Sequence, residues 1–446
     1  MQIVRKAMLA SLATTIAAPL AFAPMPLAAQ DEDTQAADVP VEEALVDPAM
    51  QAALAALEVA PVFDGHNDVP IQLRSRFDNQ INGFDFADTS GTGETHPAGR
   101  TMHTDIARLA EGRVGAQYWS VYVPASLSEP QAVQMTIEQI DVTKRLIDRF
   151  PDALAYAETA DDVEAAIAQG RVASLLGMEG GHSIGSSLAV LRQMYALGAR
   201  YMTITHSRNT PWADSATDDP EHGGLTEFGK DVIREMNRIG MLVDLSHVSE
   251  ASMHDALDVA RAPVIFSHSG VRALNGHARN VPDSVLERLP ENGGVVMVVA
   301  LPGFLNDERR EWYAAREAQE ARQNSLYQGQ PDVVEAAMAA WDEANPEPAT
   351  MISHMADHID HIRALIGVEY IGIGADFDGM PSGPVGFEDV SGYPALFAEL
   401  ARRGYSQVEM ELIASRNAIR VLREAEIYSA QASGDAPIES LLPSED

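Results

Sequence analysis

LTEFGKDVIREMNRIG at 225–240 runs straight into MLVDLSHV at 241–248, and the two halves follow different periods. In the first, Leu225, Phe228, Val232 and Met236 share one helical face, and Gly240 stands where a helix would stop. The second is a short apolar run, too short for a helix of its own, that ends at His247. A helix feeding a buried strand is one unit of a βα repeat.

Seven further runs of the same kind flank it: APVFDG (60–65), VGAQYWSVYV (114–123), RVASLLGME (171–179), RYMTITHS (200–207), PVIFSHS (263–269), GGVVMVVA (293–300) and YIGIGADF (370–377). Runs rich in Val, Ile and aromatics, with helix-patterned stretches between them, fit parallel strands buried on both faces. Eight of them predict a (β/α)₈ TIM-like barrel, with a doubly wound sheet as the alternative. Between Pro302 and Thr350 the rhythm breaks into an Ala-, Glu- and Arg-rich segment, read as a helical insertion after strand seven. The barrel domain is expected over 59–428, after an acidic flexible leader at 30–58 and before a flexible tail at 429–446.

The 446 residues carry 66 acidic against 31 basic side chains, a net charge of −35. Such a chain repels phosphate backbones, so nucleic acid is not an expected partner. Arg5 and Lys6 precede a small-residue apolar run with Ala-rich cleavage sites before Gln30, the layout of a secretory signal peptide over 1–29. Periplasmic or secreted location follows, with no stable membrane anchor once the signal is removed. Cysteine is absent. Any metal must therefore be held by His, Asp or Glu, and no thiol chemistry is available.

The runs end in polar residues of a particular kind. The first ends at His66 and Asp68, the third at Glu179, the fourth at His206, the fifth at His247, the sixth at His268 and the eighth at Asp376. Side chains at the carboxyl ends of barrel strands converge on one site. His, Asp and Glu converging there suit one or two zinc-like ions without thiolates. Taken singly, each histidine reads as a turn or core residue, and Asp64 and Asn67 as shaping a turn; the shared placement carries the argument. His354, His358 and His361 also have helical metal-binding spacing, but they share their segment with an Ile/Met packing stripe and are set aside. His182 is read as supporting Glu179, and His96, His103, His222 and His254 as loop or surface residues.

The segments DGHND, GMEGGHSI, YMTITHSRNTPWAD, LVDLSHVS, APVIFSHSGVRALNGHARNVPD and IGIGADFDG resemble, in order and spacing, those of the renal (membrane) dipeptidase family, zinc peptidases of the amidohydrolase superfamily. The resemblance spans about Pro61 to Leu422. It implies two Zn²⁺ ions per chain, with His66 and Asp68 on one, His247 and His268 on the other, and Glu179 bridging. It also implies that His206 steadies the reacting carbonyl, that Arg279 pairs with the dipeptide's terminal carboxylate, and that Asp376 handles the proton. His206, Arg279 and Asp376 then form the substrate-binding set.

The expected activity is an exported dipeptidase acting through a metal-bridging hydroxide, since paired dications bring a water's pKa towards neutrality. Another small amide, a cyclic amide or a lactone is the alternative substrate, and a non-catalytic binding protein the third reading. The chain departs from the mammalian members in lacking cysteine. Its long insertion offers a lid or a homodimer surface, and residues 84–100 look longer and more polar than a connecting loop requires.

Overall fold

The computed structural model describes residues 47–443. Nine strands form its sheet: β1 (Val62–Asn67), β2 (Val114–Ser120), β3 (Leu154–Tyr156), β4 (Val172–Glu179), β5 (Ala199–Thr203), β6 (Leu242–Asp244), β7 (Ile265–Ser269), β8 (Val295–Val298) and β9 (Ile371–Ile373). All pairings are parallel, in the order β2-β1-β9-β8-β7-β6-β5-β4-β3, and β2 also pairs with β4. That last pairing closes the sheet into an eight-stranded ring with helices around it, the (β/α)₈ barrel the sequence predicts. A doubly wound sheet would have left two open edges.

The strand absent from the sequence reading is β3. Its three residues lie along the first half of β4, and β5 takes over beside β4 from Leu176 onward. LAY, between a helix and a turn, is too short to show any period.

The helix–strand unit at 225–248 folds as expected. The helix Glu227–Ile239 is capped by Thr226, whose side chain accepts from the Gly229 N–H, and ends on left-handed Gly240 at φ 85°. Phe228, Val232 and Met236 are buried with Leu225. Removing each such side chain from water contributes on the order of 1.5–3 kcal/mol. Every residue of β1, β4, β7 and β8 is buried, which explains their unbroken apolar runs.

Two boundaries differ from expectation. Within the leader, Pro48–Val59 is a helix: Asp47 caps it by accepting from the Ala49 N–H, and Ala53, Ala56 and Leu57 are buried. It packs against the helices Tyr393–Arg402 and Gln407–Glu411. An alanine-lined face has little hydrophobic contrast, so its period is faint in the sequence. At the other end, the helix Asn417–Gln431 runs past 428. Beyond it the Ile438 N–H donates to Glu235 Oε2 and its carbonyl accepts from Arg192, which ties the tail down. The signal-peptide reading of 1–29 lies outside the described residues.

The insertion is helical, as expected. Pro302–Leu305 leads into Asp307–Leu326 and Pro331–Ala344, two helices joined by a short turn. They are held by the Trp312 and Trp341 rings 5.8 Å apart and by a two-pronged Arg316–Asp342 pair at 2.9 and 3.1 Å. Among the described residues, no helix is long and apolar enough to cross a membrane.

Candidate active site

At the carboxyl end of the ring the structure brings together His66, Asp68, Glu179, His247 and His268. His66 is in β1, Asp68 just beyond it, Glu179 ends β4, His268 is in β7, and His247 lies three residues past β6. Ligand atoms of His66, Asp68 and Glu179 lie within 4.8 Å of one another, as do those of Glu179, His247 and His268, and of His66, His268 and Asp376. Glu179 stands between the two histidine sets. Its Oε2 is 3.4 Å from His66 Nε2, and its Oε1 is 3.0 Å from His247 Nε2 and 3.5 Å from His268 Nε2. Two trios sharing one carboxylate are a donor arrangement for two cations.

The donors are aimed by their outer partners. His66 Nδ1 meets the Tyr201 hydroxyl at 2.9 Å, so Nε2 faces the cluster, and this buried nitrogen has no hydrogen-bond partner. Asp68 Oδ1 is likewise buried and unpartnered. His268 Nδ1 meets Ser267 Oγ at 2.8 Å, and Ser267 Oγ donates to Asp244 Oδ2 at 2.6 Å. Ser120 Oγ donates to Glu179 Oε2 at 3.1 Å. Metal-ligating histidines are oriented in this way, one nitrogen held and the other bare. Buried, unpaired polar atoms are costly, and a cation would satisfy them. The residues fit a metal.

Local backbone completes the aim. His247 and Asp376 adopt positive φ, 70° and 69°, a conformation uncommon outside glycine that clusters at functional sites. A Cβ on Gly379 would sit 2.1 Å from Asp68 Oδ2 and 2.4 Å from Asp376 Oδ1, so only glycine lets both carboxylates close in there. Gly177 does the same for Tyr201, whose ring would meet a Cβ at 2.0 Å.

Electrostatics set the groups apart. Burial pushes His247 and His268 well below the ordinary histidine range, helped by the Arg279 charge, so both are neutral with lone pairs to give. Burial alone would raise Glu179, but His66, His247 and His206 outweigh it and hold it well below the carboxylate range. For His66, burial is overcome by Tyr201, Glu179 and Asp68, which carry it well above. Asp376 moves opposite to Glu179: burial, with Asp68 and Glu179 close by, pushes its carboxyl well up despite His66 and Arg279. Two carboxyls driven apart in this way are suited to different roles.

His206 and Arg279 line the same cavity, about 310 Å³, with Glu179, His247, His268 and Asp376. His206 Nε2 is 3.6 Å from Glu179 Oε1. Arg279 is buried, and its guanidinium donates to the His268 carbonyl at 3.2 Å, with no carboxylate partner among the described residues. Burial lowers it to about 10, still a cation at neutral pH.

Several sequence readings change. His182 does not support Glu179 by a hydrogen bond; its Nε2 meets the Val123 carbonyl at 3.2 Å. His103 sits in a loop, as expected, and Asp378 holds it there: its N–H donates to Asp378 Oδ1 at 2.9 Å and its Nδ1 accepts from the Asp378 N–H at 3.1 Å. Asp64 does more than shape a turn, accepting from His66, Gln117, Ala375 and Tyr393 and so binding β1 to β2, to the segment just past β9 and to the helix Tyr393–Arg402. The helical histidines are engaged elsewhere. His358 accepts from the Val271 N–H, His361 meets Asp283, and His354 accepts from the Met351 N–H.

Sequence reasoning missed Tyr201, Asp244 and Tyr122, whose ring lines the cavity 4.9 Å from that of His206. Tyr201 and Tyr122 read as strand aromatics; Asp244, a carboxylate inside Leu-Val-Asp-Leu, carried a signal, because a buried charge needs a partner.

The family model for membrane dipeptidase (peptidase family M19) matches residues 50–435. Dipeptidase 3 of Rattus norvegicus is 40% identical over 397 residues, covering 88% of this chain and 70% of that protein. The chain belongs to the membrane dipeptidase family. As a member it is a metallodipeptidase, a hydrolase with a metal cofactor. The probable dipeptidase PvdM from Pseudomonas aeruginosa shares the fold at TM-score 0.72 and 23% identity, covering 85% of this chain and 99% of its own. A structure described as dipeptidase AC, a metallopeptidase of family M19, matches at TM-score 0.65 and 25% identity, over 82% and 98%.

Proposed function

We propose that this membrane dipeptidase family member is an exported zinc enzyme that hydrolyses the amide bond of dipeptides. The observation that carries the substrate is Arg279: a buried cation without a carboxylate partner among the described residues, lining the same cavity as the donor cluster. A guanidinium suits a planar terminal carboxylate because it can donate two parallel bonds. His66 and Asp68 would hold one Zn²⁺, His247 and His268 the other, and Glu179 would lie between. When bound, the pair supplies Lewis acidity and a water acidic enough to ionise near neutral pH.

The chain's own residues do the rest. Arg279 holds the substrate carboxylate and so fixes where the amide lies. His206, with Nδ1 on Ser207 Oγ at 3.1 Å, presents its ring to the cavity, placed to hydrogen-bond the carbonyl oxygen as negative charge grows there. Asp376 takes the proton of the attacking water and delivers it to the departing amine. Apolar walls at Leu301 and Phe304, where the insertion begins, narrow the cavity around the reacting bond.

Export to the periplasm or medium is supported by Arg5, Lys6 and the apolar run that follows them. The exposed helical arm at 307–344 offers a surface for a homodimer.

Arg279→Ala tests the substrate reading. Dipeptide hydrolysis should fall by roughly 10²-fold or more in kcat/KM, since the charge-assisted bonds lost contribute about 1.5–3 kcal/mol and the positioning they provide is lost too. Hydrolysis of amides without a free carboxylate should be unchanged. Equal losses on both would favour a substrate such as a cyclic amide or lactone over a dipeptide.

A further inference from the structure

Beside the catalytic cavity lies a second hollow of about 250 Å³ that shares Gln72, Asp378 and Gly379 with it as a common wall. Its other walls carry Arg76, His96, Arg100 and His103. The stretch 84–100, longer and more polar than a connection needs, is what brings His96 and Arg100 to this place.

Arg76 organises the stretch. Its Nε donates to Gln72 Oε1 at 2.6 Å, and its Nη1 donates to the carbonyls of Thr92 and Arg100 at 3.2 and 2.7 Å. Neither Arg76 nor Arg100 has a carboxylate partner among the described residues. Their neighbours differ: Arg74 pairs with Glu138, and Arg108 with Asp105 and Asp389. Asp378, the one carboxylate in the wall, uses Oδ1 on the His103 N–H. In a chain of net charge −35, a hollow that sets two guanidinium groups against the single carboxylate of Asp378, and opens beside the reacting centre, is a place for an anion.

Its position says which part of a substrate it would meet. Arg279 follows β7, whereas Gln72 and Asp378 follow β1 and β9, across the site in the order β1-β9-β8-β7. A dipeptide whose terminal carboxylate rests on Arg279 extends its first residue towards that side. We propose that the hollow is a specificity subsite, in which Arg76 and Arg100 receive an acidic side chain of the dipeptide's amino-terminal residue. The inference rests on the dipeptidase reading above.

The test compares Glu-Ala, its neutral near-isostere Gln-Ala, and Ala-Ala on the zinc-loaded full chain. The wild type should favour Glu-Ala over Gln-Ala by about fivefold or more in kcat/KM, mainly through KM, as expected for a partly exposed charge pair. The preference should shrink as salt is raised, because screening shortens the reach of exposed charges. Arg100→Gln should abolish the preference and Arg100→Lys should keep most of it, with Ala-Ala turnover as the check that each variant is folded and loaded. Hydrolysis of Ala-Ala with no discrimination between Glu-Ala and Gln-Ala would overturn the subsite alone, as would an undiminished preference in Arg100→Gln. Failure to hydrolyse any of the three would overturn the dipeptidase reading, and the subsite with it.

Discussion

Glu179→Ala should lose at least about 10³-fold in kcat/KM and should purify with less than its full complement of metal. The loss exceeds the roughly 10–100-fold typical of removing a partner outside the ligand shell, because this carboxylate belongs to both donor sets. One oxygen faces His66 and the other faces His247 and His268, so its removal weakens both sites at once. Glu179→Gln keeps the shape but removes the charge, and should show the same loss with the fold intact. The checks are elemental analysis of gel-filtered protein, steady-state kinetics and far-UV circular dichroism. Full metal content with wild-type turnover in either variant would remove Glu179 from the centre.

Asp376→Asn should reduce kcat by about 10²–10⁴-fold while metal content and KM change little, the range expected for loss of a positioned acid–base group. The amide fills the same space beside Gly379 but cannot take a proton from water and give it to the amine. Asp376 also lies among the donors near His66 and His268, so the metal measurement is what separates the two roles. If the variant loses metal in proportion to activity, Asp376 is a ligand rather than a proton carrier.

Much of this was legible in the sequence because parallel strands buried on both faces read as unbroken apolar runs, and a polar residue at the end of six of the eight stands out against them. The ring of eight strands and the convergence of His66, Asp68, Glu179, His247 and His268 both rest on that contrast. Where contrast is low, the reading failed. The helix Pro48–Val59 buries alanines, and β3 has only three residues. Tyr201 looks like any strand aromatic until the Gly177 position beside it shows why its ring can cross to His66. His182 was misplaced for a related reason: a histidine's partner is set by tertiary contacts that no spacing encodes.

The central claim is that this cluster is a two-metal centre on which dipeptide hydrolysis depends. The most direct test is to strip the purified protein with a strong chelator and titrate zinc back while following hydrolysis of a dipeptide. Activity should be absent from the stripped protein and should rise to a break at about two equivalents per chain, as a paired site requires. Turnover in the metal-free protein, or a rise complete at one equivalent, would contradict it.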